Sequence, residues 1–383
     1  MQTTPGEAAD TPRRGRVLRF PQDHGAHLGA RTEWWYATGW LGREQVPRQA
    51  AAQPATRAAA QASTQSPVTG FQVTFFRSRT GLARDNRSRF AARHLLFAHA
   101  AVTTLDARGN TRVDGRTDSR TDPQTTGRGV QHRHDQRIAR WSGAPGSALG
   151  EAALDDGYVR LGNWTLQREA ASGAWLANVP ARDFTLALRL VPTQPLLLQG
   201  EAGFSRKGPA DQDASHYYSL PQLDAQTPTG ERGRGWLDHE WSEQLLHRDA
   251  TGWDWIGINL FDGGALTAFV LRRRDGSALW AGGSHRSAAG VLTVFGPADV
   301  RFVAGRRWQS PATAAVYPVQ WQVQTSAGAF TVNALADAQE LDSRSSTGTV
   351  YWEGLSELLD AQGQRAGLGY LEMTGYVAPL KIG

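Results

Sequence analysis

Short runs in which apolar and polar residues alternate, broken by Gly, Pro, Asn and Asp, recur along most of the chain. In "FQVTFFRSR" (71–79), Phe71, Val73 and Phe75 fall on one face and Gln72, Thr74 and Phe76 on the other, the period of a strand. "RTEWWYATGWL" (31–41) and "RHLLFAHAAVTTL" (93–105) read the same way. Further strands are expected from 157 to 201 and, in the second half, near 234–242, 253–261, 265–273, 278–285, 290–296, 299–303, 316–325, 328–335, 348–353 and 368–377. The single helix the pattern offers is a turn or two around 355–361. Strands at short spacing without intervening helices predict an all-β chain of antiparallel barrels, in which closure removes open sheet edges.

Three stretches break the pattern. Residues 1–17 read as a loose tail and 43–69, rich in Ala, Gln, Thr and Pro, as a disordered insertion in a hairpin loop. Residues 108–141 form an Arg-, Asp- and Thr-rich loop with an ordered end at Trp141. The polar, Pro- and Gly-containing stretch 205–232 is the expected linker, dividing a barrel at 18–204 from a second at 233–383.

Composition narrows the chemistry. The 383 residues suit two domains, and the absence of Cys excludes disulfides, thiolate metal sites and a Cys nucleophile. The net charge of +5 is carried almost wholly by Arg, with Lys only at Lys207 and Lys381. These Arg residues are spread among acids rather than gathered in a basic stripe, so no nucleic-acid partner is expected. No run of 18 apolar residues is present, hence no transmembrane segment, and the first residues lack the apolar core of a signal peptide. GxGxxG, GxxxxGK[ST], HExxH and GxSxG are all absent, and neither a metal nor a cofactor is expected. His132 and His134 form an HxH pair, read as part of a solvated loop.

Carboxylates set among aromatics stand out from this background. In "GWDWIGINLF" (252–261) Asp254 heads an aliphatic row of Ile256, Ile258 and Leu260, opposite Trp253 and Trp255. Facing a cavity, its carboxyl would be desolvated and its pKa raised, as a general acid requires; at a strand mouth it would cap a turn or pair with an Arg. In "GRGWLDHEWS" (233–242) His239 and Trp241 share one face, and Asp238, Glu240 and Ser242 the other. Glu33, Glu353 and Glu372 each sit inside an aromatic strand, where pairing with an Arg or with backbone N–H groups is the expected role.

Together "TEWWYATGWL", "HLLFAHAAVT", "GWLDHEWS", "WDWIGINLFDGG", "YWEG" and "GLGYLEMTGY" resemble, in that order over about 18–380, the carotenoid 1,2-hydratases and their AttH-type relatives, with the bacterial "predicted secreted hydrolase" branch nearest. The resemblance implies two lipocalin-like antiparallel β-barrel domains packed together around a cavity for an apolar isoprenoid or lipid-like ligand. It implies a hydro-lyase adding water to a C=C bond by acid catalysis, or a non-catalytic lipid-binding accessory of an ABC-type permease, periplasmic or secreted. Carried onto this chain, His239 and Trp241 match best, with Asp254 as the acid and Asp238 as second choice. Trp34, Tyr36, Glu33, Trp253, Trp255, Tyr351 and Glu353 are the expected ligand contacts. A protonated carboxyl would protonate the alkene, aromatic faces would hold the cation at about 2 kcal/mol per desolvated contact, and His239 would orient water.

Overall fold

The computed structural model describes residues 10–42, 67–82, 86, 88, 90–105 and 129–380. Most of the expected insertion at 43–69, much of the loop at 108–141 and residues 1–9 of the tail lie outside them. Among the described residues the elements are strands, apart from one 3₁₀ turn at Gln22–His24. The helix expected around 355–361 is not formed, because residues 355–359 continue the strand Thr349–Leu359, paired on both sides, and the chain then turns.

The first sheet runs from the edge strand Val130–Trp141 through His94–Leu105, Val68–Arg79, Thr32–Leu41, Arg232–Ser242, Ala214–Gln226, Thr185–Pro192, Trp175–Pro180, Trp164–Arg168 and Tyr158–Leu161 to Gly150–Ala152. Its two edges return to one another, so the sheet curls into a nearly closed antiparallel barrel around Trp35, Phe71, Phe75, Trp164, Trp175 and Leu237. The second sheet has Ala250–Leu260 and Arg365–Thr374 at its middle and encloses Ile256, Ile258, Trp321, Trp352 and Leu371.

The domain boundary differs from expectation. The stretch 205–232 is no linker: it contains Phe204–Arg206 and Ala214–Gln226, which form a hairpin-paired part of the first sheet, and Arg232–Ser242 then pairs with both Ala214–Gln226 and Thr32–Leu41. Pro221 is tolerated there because it falls in a bulge between Leu220 and Leu223, where no ladder donor is needed. The first barrel therefore ends at Ser242, and the connection to the second is 243–249. Two smaller boundaries also move. Val68 already opens a strand, and Val130–Trp141 is a strand carrying His132 and His134 rather than loop. The tail is pinned from Asp10 onward: Asp10 accepts from the Gly29 N–H at 2.8 Å, and Arg16 pairs with Asp23 at 2.8 Å.

The barrels pack through the outer faces of their central strands. Parity along Thr32–Leu41 sends Trp35 and Ala37 into the first barrel and Trp34, Tyr36 and Trp40 outward. These outward aromatics and Trp236 meet Trp255, Leu355, Leu368 and Tyr370 of the second domain. The cavity thus lies between the barrels rather than inside either.

Candidate functional site

Two facing rows of residues build the cavity. On the first sheet, register aligns Thr74, Tyr36, Asp238 and Ser219, and next to them Phe76, Trp34, Glu240 and Tyr217. On the second, Phe269, Trp255, Glu372 and Glu353 form one cross-strand row. Lys207, Leu245, Leu246, Trp253 and Leu271 complete the lining. The enclosed volume is about 60 Å³, and the space between the walls, mouth included, is about 680 Å³. The Trp255 ring lies over Gly257, where an added Cβ would stand 2.2 Å from the ring. That Gly two residues on lets the indole lie flat as a wall.

Carboxyl groups give this apolar space its chemistry. Asp238 is only 3% exposed and has no cationic partner among the described residues. It accepts from Ser219 Oγ at 2.5 Å and from the Trp236 indole N–H at 2.7 Å. Burial, reinforced by Glu240, outweighs these bonds and pushes its pKa up to about 7. Across the cavity Glu353 and Glu372 sit directly opposite on adjacent strands. Burial lifts Glu353 to about 8, and burial together with the Glu353 charge holds Glu372 well above the usual carboxylate range. Glu353 Oε1 is bonded to His99 Nε2 at 3.0 Å, while its Oε2 and the nearby Tyr36 hydroxyl have no bond of good geometry among the described residues. Burial keeps His99 neutral, its pKa near 3, so its Nε2–H can donate to an ionised Glu353. Glu240 differs, being ion-paired to Lys207, whose ammonium lies 4.7 Å over the Trp34 ring.

Of the residues singled out in the sequence, Asp238, Trp34, Tyr36, Trp253, Trp255 and Glu353 come together here. Asp254 does not. It is buried inside the second barrel beside Ile256, with Arg272 Nε 2.7 Å from one oxygen and Tyr376 donating to the other at 2.9 Å. Burial raises it to about 6 against the opposing pull of Arg272. His239, Trp241 and Glu33 face the first barrel's interior, because odd positions of Arg232–Ser242 point opposite to Asp238. Tyr351 lies behind the cavity wall, against Phe76 and His99. Glu372, Glu240, Lys207, Tyr217 and Phe269 are among the lining residues to which sequence reasoning gave no site role; the shared parity of Asp238 and Glu240 was the available signal for the second.

The interior residues form a separate network. Glu33 Oε1 accepts from the His27 ring at 2.8 Å and the His239 ring at 3.0 Å, and Oε2 takes Arg77 Nε at 2.8 Å. His27 also reaches Asp23 at 2.9 Å and stacks on Trp241 at 3.6 Å. Burial works to raise Glu33, yet the Arg77 charge and both imidazoles hold it well below its ordinary value. His27, Glu33 and His239 are the one group among the described residues whose donor atoms cluster as metal ligands do. The Arg77 guanidinium already supplies the positive charge that carboxylate needs, so the cluster reads as an ion-paired core.

Two antiparallel barrels joined over an aromatic cavity with buried carboxyls define the molecule as a two-domain lipocalin-like protein. The chain belongs to the AttH-like family, whose model matches residues 11–128 and 124–376. It is similar to a crystal structure described as an AttH from Nitrosomonas europaea, at 39% identity and TM-score 0.74, covering 96% of this chain and 99% of that one. Kievitone hydratase from Nectria haematococca shares the fold at 13% identity and TM-score 0.56, covering 96% and 98% of the two chains. No curated protein matches the chain.

Proposed function

We propose that the inter-barrel cavity binds an apolar isoprenoid or lipid-like molecule and adds water across one of its C=C bonds, in the manner of a carotenoid 1,2-hydratase, with Asp238 as the acid. The observation that carries this reading is a carboxyl held un-ionised near neutral pH, without a cation, on an aromatic wall. The O–H proton of Asp238 passes to one alkene carbon as the π pair forms the new C–H bond. The cation left on the other carbon faces the indoles of Trp34 and Trp255, whose π faces stabilise it. Water adds through an oxygen lone pair, and its surplus proton returns to the Asp238 carboxylate that the first step left ionised, which restores the acid. His99 is a positioning residue that fixes Glu353. The reading extends to an envelope setting, periplasmic or secreted, supported by the likeness of "EWWYATGW" and "YWEG" to the bacterial branch.

The test begins with mass spectrometry of apolar compounds extracted from the purified protein. Acyclic isoprenoid polyenes with trisubstituted terminal alkenes are then incubated with it in heavy-oxygen water. Hydrated product carrying the heavy oxygen is expected, with turnover falling about 10²–10⁴-fold in Asp238→Asn while ligand still quenches Trp fluorescence. Binding without turnover, or turnover indifferent to Asp238, would overturn the catalytic reading and leave a carrier.

A further inference from the structure

A second compartment adjoins the cavity. Ser205, Tyr217 and Phe269 line both, so the two spaces share a wall. The second is the larger, about 260 Å³, and its remaining sides are largely apolar: Phe204, Trp280, Val294, Phe295 and Pro297. Glycines at 282, 283 and 296 keep its floor open.

One cation in that compartment is unbalanced. Arg206 lies over the Trp280 ring at 4.6 Å and donates to the carbonyls of Gly208 and Pro209. It has no carboxylate partner among the described residues, and its buried Nε has no acceptor. Its neighbours differ. Lys207 is paired with Glu240, and Glu201, the carboxylate in the same lining, is paired with Arg14. A guanidinium held over an indole without a carboxylate partner is suited to a planar anion.

We propose that the two compartments form a single site for an elongated apolar acid, whose carboxylate sits on Arg206 and whose hydrocarbon runs past Phe269 and Tyr217 to Asp238. The inference rests on the reading of the cavity above and names its substrate class. Register gives the length. Arg206 pairs with Ala214 and Asp238 with Ser219, so five residues along one strand and two strand spacings separate their backbones, about 20 Å; the odd offset starts the two side chains on opposite faces, and Arg206 reaches the compartment from the edge strand Phe204–Arg206, over Trp280. A long-chain polyene acid spans that distance, and a short one does not.

The probes are cis-parinaric acid, a fluorescent long-chain polyene acid, its methyl ester, and the short sorbic acid as competitor, titrated into the full chain. The acid is expected to bind about tenfold more tightly than the ester, equivalent to 1.4 kcal/mol, with sorbic acid failing to displace it. Arg206→Gln should erase the preference without changing ester affinity, Arg206→Lys should keep part of it, and Lys207→Gln should leave it intact. Equal binding of acid and ester, a preference that survives Arg206→Gln, or one that follows Lys207 would overturn this inference alone. Failure of both acid and ester to bind would overturn it together with the apolar-ligand reading.

Discussion

Parity decides which acid faces the cavity between the barrels. Asp254 and Trp255 are neighbours, yet one enters the second barrel and the other the cavity. The alternation was legible, and it correctly grouped Asp254 with Ile256 and Ile258. It could not say which face meets a ligand, because Ala250–Leu260 is buried on both sides over much of its length and so lacks the contrast that marks a surface. His239 was put forward, and Asp238 placed second to Asp254, by the family resemblance, which carries no information on which face is lined by the cavity. Asp254 instead forms a buried ion pair, which makes a prediction. Arg272→Leu should cost about 3–5 kcal/mol at pH 8, where the abandoned carboxylate is charged. The cost should shrink at pH 5, because a carboxyl already pushed to about 6 beside Arg272 takes up a proton once that charge is gone. Urea unfolding at the two pH values reads the difference, and equal costs would refute it. Asp254→Asn should leave hydration turnover unchanged.

Strands were legible wherever one face is wet or turn residues punctuate them, and missed where side chains argued the other way. Ala214–Gln226 was hidden by Pro221 and by the polar residues around it. Long-range pairing with Arg232–Ser242 and a bulge at the proline override that local signal. The bulge has a further consequence, since it turns the Pro221 carbonyl toward the second domain. Asn259 donates to that carbonyl at 2.8 Å and to Gly235 O at 3.1 Å, bridging two sheets from a buried position. Asn259→Leu is expected to destabilise the chain by roughly 1–3 kcal/mol for each carbonyl left without a partner. Calorimetry should show a lower midpoint, and an unchanged one would mean that water replaces the amide. Sequence alone could not reveal this bridge, because nothing local marks Asn259 as facing another domain.

At the scale of the molecule, the buried charges set opposing slopes of stability against pH. Asp238, Asp254 and Glu353, lifted to about 7, 6 and 8, and Glu372, held well above its ordinary value, keep protons in the folded state that the unfolded chain releases. Their raised values mean stability present below about pH 4 and lost as pH rises through each folded pKa. His24, His94 and His99, lowered to about 3, and His132 and His216, lowered to about 4, act in the other sense, as do His134 and His239. Neutral when folded and charged when unfolded, they lose stability as pH falls below 6.5. Asp23, lowered to about 2, and Glu33 add to the acid loss below the usual carboxylate range. Between pH 4.5 and 6.5 these seven histidines and His285, also lowered, outnumber the four carboxyls and His27, whose raised value opposes them, so stability climbs with pH. Above 6.5 the histidine contribution is complete and the carboxyls still releasing protons make it fall, each by up to about 1.4 kcal/mol per pH unit. Denaturant midpoints from pH 4 to 9 should therefore peak between about pH 6 and 7. Glu353→Gln should flatten the alkaline limb and leave most of the acid limb, because it removes one proton-holding group from the cavity and none from the histidine set. A midpoint still rising at pH 9, or an alkaline slope unchanged in that variant, would mean the cavity carboxyls are ionised in the folded protein and unable to donate to an alkene.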